Sequence, residues 1–148
     1  RGERPAADEN FYQQVWFHKL GTPHTEDRYE IGKEFPRIAE IELESSEDGK
    51  LILARVANGD GGDFSFWLRQ AGGAWKPLAK DEDGIKFAAF GHDALYLLSR
   101  KEAPRGKILR LALGVQDSLE RDLSVQRRAR DERRNTEPTH GDSHSVPS

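Results

Sequence analysis

The 148 residues carry 23 Lys and Arg against 26 Asp and Glu, a formal net charge of -3. No global positive field draws such a chain to nucleic acid or to an anionic membrane surface, so neither is an expected partner. Hydrophobic residues make up 35% and charged residues 33%, an apolar share below the globular average, as though a folded part were diluted by a polar one.

Residues 1–14 are mostly polar and are expected to fray. The first strand is predicted at Val15-Trp16-Phe17-His18-Lys19-Leu20, aromatic and β-branched and stopped by the turn residues Gly21-Thr22-Pro23; a short second strand follows around Arg28-Tyr29-Glu30-Ile31. From Ile38 the chain alternates, Ile38, Glu40, Glu42 and Glu44 interleaving with Ala39, Ile41 and Leu43, the period of two of a half-buried strand. Ser45-Ser46-Glu47-Asp48-Gly49 reads as a hairpin turn, with a return strand from Lys50 to Ala57. A Gly/Asp loop at 58–63 leads to a strand at Phe64–Arg69, and Ala71-Gly72-Gly73-Ala74 leads to another at Trp75–Leu78. Four short antiparallel strands are therefore expected.

The arrangement then repeats at an offset of about 44 residues. Asp48-Gly49-Lys50-Leu51-Ile52-Leu53-Ala54 aligns with His92-Asp93-Ala94-Leu95-Tyr96-Leu97-Leu98. The same shift sets Ile41 and Leu43 on Ile85 and Phe87, and Phe64, Trp67 and Arg69 on Ile108, Leu111 and Leu113. Four strands per repeat of about 40–50 residues is the period of propeller blades, and about four such blades are needed to close a ring. The predicted fold class is thus all-β: antiparallel four-stranded blades of a partial, open β-propeller. Residues 1–113 would hold the end of one blade, a full blade at about 38–79 and most of a further blade at about 85–113. The chain starts at Arg1 with neither methionine nor a charged-then-apolar leader, so it reads as a fragment. An open sector exposes the faces that neighbouring blades would cover, and self-association is expected of it.

After Leu113 the composition changes. Residues 114–148 contain no aromatic residue and many arginines, and Leu119-Glu120-Arg121-Asp122, where the offset would return Trp75-Lys76-Pro77-Leu78, is no strand. This polar tail is expected to be mostly disordered, or partly helical around 117–134. It has the character of a truncated or out-of-frame reading.

Chemistry-bearing residues are sparse. There is no cysteine, which removes disulfides, thiol nucleophiles and thiolate metal sites and leaves the compartment open. No apolar run approaches the roughly 20 residues of a membrane helix, so a soluble protein of cytoplasm or periplasm is expected. A hydrolytic serine would need G-x-S-x-G, and Ser65, Ser99 and Ser118 all lack those glycines. His18 lies in an aromatic strand and is read as a packed or hydrogen-bonded histidine; His92 falls in a hairpin turn. His24 with Glu26 and Asp27 lacks a second ligand cluster, and His140 and His144 sit in the tail. Asn58-Gly59-Asp60-Gly61-Gly62-Asp63 lacks calcium-loop spacing and a distal glutamate, and reads as an inter-strand loop. The basic run Arg127–Arg134 is interrupted by Asp131 and Glu132, with no stacking aromatic nearby. Phe64, Phe66, Trp67, Trp75, Phe87 and Phe90 are expected to be mostly core between stacked blades. No catalytic, cofactor-binding or metal-ligating residue is assigned, and no cofactor is expected.

Phe17-His18-Lys19-Leu20-Gly21-Thr22-Pro23 followed by Glu26-Asp27 resembles the Y-H-x-L-G-T-x-x-S-E-D signature of prolyl oligopeptidase family propellers, with Thr25 where serine is usual. Glu47-Asp48-Gly49 with Leu51-Ile52-Leu53 is similar to that family's S-x-D-G-R-Y-L-x-I hairpin. Ala94-Leu95-Tyr96-Leu97-Leu98 with Ala103-Pro104-Arg105-Gly106-Lys107-Ile108 is similar to its L-Y-x-x-T-N-x-x-A-P-R-G-R-V segment. The three matches fall in the expected order within residues 12–113. The resemblance implies a serine endopeptidase whose seven-bladed propeller caps an α/β-hydrolase domain, admits short peptides and leaves cleavage after proline to that domain. The implied partners are peptide substrates of the parent enzyme, the hydrolase domain and the remaining blades. With no triad of its own, the chain alone is expected to be inactive. The alternative is a fragment of a non-catalytic propeller that binds a ligand or a partner protein.

Overall fold

The computed structural model describes residues 5–113. They form nine strands in three antiparallel sheets: β1 (Val15–Phe17) with β2 (Arg28–Ile31); β3 (Ala39–Ser45), β4 (Leu51–Asn58), β5 (Phe64–Gln70) and β6 (Trp75–Ala79); and β7 (Ile85–Phe90), β8 (Ala94–Ser99) and β9 (Lys107–Ala112). Within each sheet the strands neighbour one another in chain order. This is an all-β architecture of antiparallel propeller blades, and no strand among the described residues returns to close a ring. The expected state of residues 114–148 lies outside the described residues.

The turn between β3 and β4 shows how the local sequence sets the hairpin. Gly49 takes a φ of +68° with open space where a Cβ would stand. Ser46 Oγ donates to Asp48 Oδ1 at 2.8 Å and accepts the Leu51 N–H at 2.9 Å, while the Lys50 N–H donates to Asp48 Oδ1 at 3.1 Å. Hydrogen bonds from the Lys50 side chain, the Lys50 backbone and Ser46 hold the Asp48 carboxyl down at about 2. The Ser46 N–H donates to Leu51 O at 2.9 Å. Because hydrogen-bonded pairs recur at alternate residues of an antiparallel ladder, Ser45, Leu43, Ile41 and Ala39 then turn their backbone groups to the outer side of β3. The Gln13 side chain meets that edge, its Oε1 accepting the Ile41 N–H. Gln13 is seated by Gly32, which has φ +126° and whose added Cβ would lie 2.6 Å from the Gln13 carbonyl oxygen.

The two faces of the β3–β6 sheet have different neighbours. Trp67, opposite Ala54, meets Phe35 from the segment before β3 at a tilt, ring centroids 5.6 Å apart, and Arg69, opposite Ile52, reaches Glu30 of β2. The other face carries Leu53, Phe66 and Leu68, all buried. The third sheet attaches through Lys86 Nζ, which donates to Gly62 O at 2.6 Å, and through the Phe90 N–H, 3.4 Å from Glu44 Oε1. It contributes Ala88, Leu95, Leu97 and Leu111 to the core. Each fully buried leucine or phenylalanine adds about 1.5–3 kcal/mol. The opposite face of the third sheet is left wet, with Phe87 53% and Ile108 64% exposed.

Two sequence expectations need correction. The first strand stops at Phe17, and His18–Leu20 run on as irregular chain into a turn whose Thr22 hydroxyl donates to Lys19 O at 2.8 Å. The repeat is also not a single offset. The shift of 44 holds across the first hairpin, where it carries the pairs Ser45–Ile52 and Leu43–Ala54 onto the pairs Ala89–Tyr96 and Phe87–Leu98, and it fails at the third strand. Ala54 faces Trp67, whereas Leu98, its counterpart, faces Ile108, so the pairing sets Trp67 on Ile108 where the uniform shift sets it on Leu111.

Candidate functional site

Of the polar clusters in the described residues, the most enclosed is where β2 meets β5 and β6. Strand alternation turns Glu30 inward while Arg28, two residues earlier on the same face, lies at the rim. Glu30 Oε1 accepts from Arg28 Nε at 3.0 Å and Nη2 at 2.9 Å. Its other oxygen accepts from Arg69 Nη1 and, at 3.3 Å, from Trp75 Nε1. Arg69 is tied again through Nε to Gly73 O at 2.9 Å. The Glu30 and Arg69 side chains are only 7% and 9% exposed, so charge is matched to charge inside the protein. No buried side-chain polar atom among the described residues lacks a partner.

Beside this pair lies an open cleft of about 490 Å³, lined in part by Tyr29, Glu34 and Trp75. The Tyr29 hydroxyl accepts the Lys33 N–H at 2.9 Å, and its ring meets Trp16 edge-on at 5.5 Å. These donors and acceptors are spent on one another. The cluster's chemistry is adhesion between β2 and the β5–β6 hairpin, with no activated nucleophile and no base beside one.

The residues weighed in the sequence are dispersed. Ser99 is 1% exposed, with its Oγ donating to Asp83 O at 3.3 Å and accepting the Lys101 N–H at 3.2 Å, a structural role. Ser65 lies within β5, and Ser118, His140, His144 and Arg127–Arg134 lie outside the described residues. His18 is hydrogen-bonded, Nδ1 standing 2.7 Å from Asp27 Oδ1, but at 43% side-chain exposure it is no core residue. His24 opens a short 3-10 turn, and His92 falls in the bend between β7 and β8. The 58–63 loop folds as a 3-10 turn closed by Asn58 N–H to Asp63 O at 3.1 Å, and the Lys86 ammonium already occupies it. No grouping of three or more His, Asp or Glu suited to a metal ion occurs among the described residues. Of the aromatics, Phe66 is fully buried and Phe87 stands mostly in solvent, against the expectation that most would be core.

The Glu30–Arg69–Trp75 cluster was not singled out in the sequence, because its members are 39 and 45 residues apart. The usable signal was an arginine at an inward position of an apolar strand, which demands a buried carboxylate. No helix among the described residues is long and apolar enough to cross a membrane. A search of curated proteins found no match. The family model described as prolyl oligopeptidase, N-terminal beta-propeller domain, matches residues 1–136, running past the last described residue. Its blade-forming sheets agree with that match, and the chain belongs to the prolyl oligopeptidase N-terminal β-propeller family.

Proposed function

We propose that this chain is the substrate-gating part of a prolyl oligopeptidase-like serine endopeptidase, whose cleavage of short peptides after proline is carried out by an α/β-hydrolase domain beyond these residues. The observation that carries the reading is the blade pattern itself, a four-stranded antiparallel sheet followed by a sheet of the same order, in a sequence holding no G-x-S-x-G. Amide hydrolysis of this type needs an activated serine, its histidine, a carboxylate that orients the histidine, and an oxyanion hole. A filter needs none of these. It acts by size and shape, holding folded proteins back from a nucleophile supplied elsewhere, and the remaining blades and the hydrolase domain are its partners.

The test has two arms. The purified chain is given a chromogenic Gly-Pro amide and a serine-reactive fluorophosphonate probe, and neither turnover nor stoichiometric labelling is expected. Labelling, or turnover that follows the protein through successive columns, overturns the assignment of catalysis to another domain. Reading the coding sequence downstream supplies the second arm. A G-x-S-x-G followed by Asp and His supports the peptidase, and further blades alone support a non-catalytic binding module.

A further inference from the structure

Asn58 is the last residue of β4 and, of the three asparagines in the sequence, the one followed by glycine; Asn10 precedes Phe11 and Asn135 precedes Thr136. A carboxamide in that setting can react without an enzyme. The backbone nitrogen of the next residue attacks the asparagine Cγ, the bond from Cγ to the amide nitrogen breaks, ammonia leaves, and a cyclic imide closes. Water then opens the imide at either carbonyl, leaving aspartate or isoaspartate. Glycine favours the attack because it has no side chain to shield its nitrogen.

The fold keeps the reacting pair together but out of line. Asn58 is exposed, and its carboxamide does not cap the 3-10 turn that follows. Gly59 is demanded by that turn, since its φ is +66° and an added Cβ would lie 2.7 Å from Ile38 Cδ1. The labile dipeptide is therefore built in. Its reactivity is restrained by the backbone: Asn58 has ψ +69°, which turns the Gly59 nitrogen to the side of the Cα–C bond away from Cβ. Attack requires rotation about that bond. Two contacts oppose the rotation, the Asn58 N–H bond to Asp63 O at 3.1 Å and the Lys86 ammonium, which reaches across from the third sheet to Gly62 O at 2.6 Å.

We propose that Asn58 is a self-modifying site gated by its own turn, deamidating only when the 58–63 loop has opened, with water as the sole co-reactant. The product cannot refit as before. Isoaspartate inserts a backbone methylene where Asn58 pairs with Ala39 and closes on Asp63, and either product adds a carboxylate to a loop that already carries Asp60 and Asp63. Each opening that reacts is thus recorded permanently at the place where the third sheet is fastened to the second.

The full chain is incubated at mildly alkaline pH, where the attacking nitrogen is more readily deprotonated, and then digested with trypsin. The peptide 56–69, released by cleavage after Arg55 and Arg69, is followed by mass for exchange of amide for acid. Denaturing urea frees the rotation and is expected to raise the rate about tenfold or more over the native chain. Lys86→Met removes the contact to Gly62 and is expected to raise the native rate about fivefold, leaving the rate in urea unchanged. In the unmodified chain, urea added below the unfolding transition should raise deamidation and hydrogen exchange of the Asn58 N–H in proportion, a readout that holds even if the Lys86 variant fails to fold. Equal rates in the native and urea-unfolded chain overturn the proposal. So does an Asn58 that stays intact in urea, or a native rate that Lys86→Met does not change.

Discussion

Glu30 shows how a single side chain fastens one sheet to another. It meets Arg28, Arg69 and Trp75 together, and its pair with Arg69 is almost fully enclosed. Removing one member of such a pair leaves the other charge buried and alone, which costs about 3–5 kcal/mol. Glu30→Ala and Arg69→Ala are each expected to lower the urea midpoint accordingly, while the double replacement Glu30→Leu with Arg69→Met costs less than the two single losses added. Asp48 contributes in a different way, through titration. Its folded-state value near 2 lies below the ordinary 3.8, so whatever it adds to hairpin stability is fully present above about pH 4 and fades as pH falls toward 2. The Lys50 amide resonance, followed through acid, should move across that window, and Asp48→Asn should flatten the curve.

At the scale of elements, the β1–β2 pair is two short strands and could not stand alone. It is attached through the Glu30 cluster, the Phe35–Trp67 contact and the Gln13 bond to Ile41. Hydrogen exchange should therefore find β4 and β5, central in the largest sheet, the slowest strands, and β1 and β2 the fastest; Glu30→Ala should widen the gap. These differences bear on what was legible in the sequence. The alternation of Ala39, Ile41 and Leu43 with Glu40, Glu42 and Glu44 marked β3 to within a residue, because a strand with one polar face must show period two. Phe17–Leu20 misled, because aromatic and apolar residues signal a strand whether or not a partner lies opposite them, and pairing decides. The slip of β9 was hidden by an ungapped alignment that matched apolar residues on opposite faces. The Glu30–Arg69 pair was out of reach because a contact spanning 39 residues leaves no local periodicity.

For the whole described region, most contacts lie within a sheet, with β5 and β7 the main meeting of two sheets, so stability is close to a sum of sheets and shared faces, without the cooperation of a closed ring. Leu95 is fully buried in the third sheet, and Leu95→Ala should cost about 2–5 kcal/mol. Exchange in β7–β9 should then rise well ahead of exchange in β4 and β5, giving two separable transitions; a single concerted loss of protection would show the sheets to be more tightly coupled than their contacts suggest. Gating, as proposed above, would depend on that independence being suppressed by blades outside these residues.

The bond from the Ile41 N–H to Gln13 bears on how far assembly can go. In the vocabulary of polymer chemistry, an unpaired strand edge is a reactive end. A unit with one such end couples once and terminates, and a unit with two propagates. Gln13, held in place by its close fit against Gly32, acts as an end-capping group on β3. On this view, Gln13→Ala frees an end that is otherwise capped, and its solutions should scatter light more strongly with time than those of the unmodified chain.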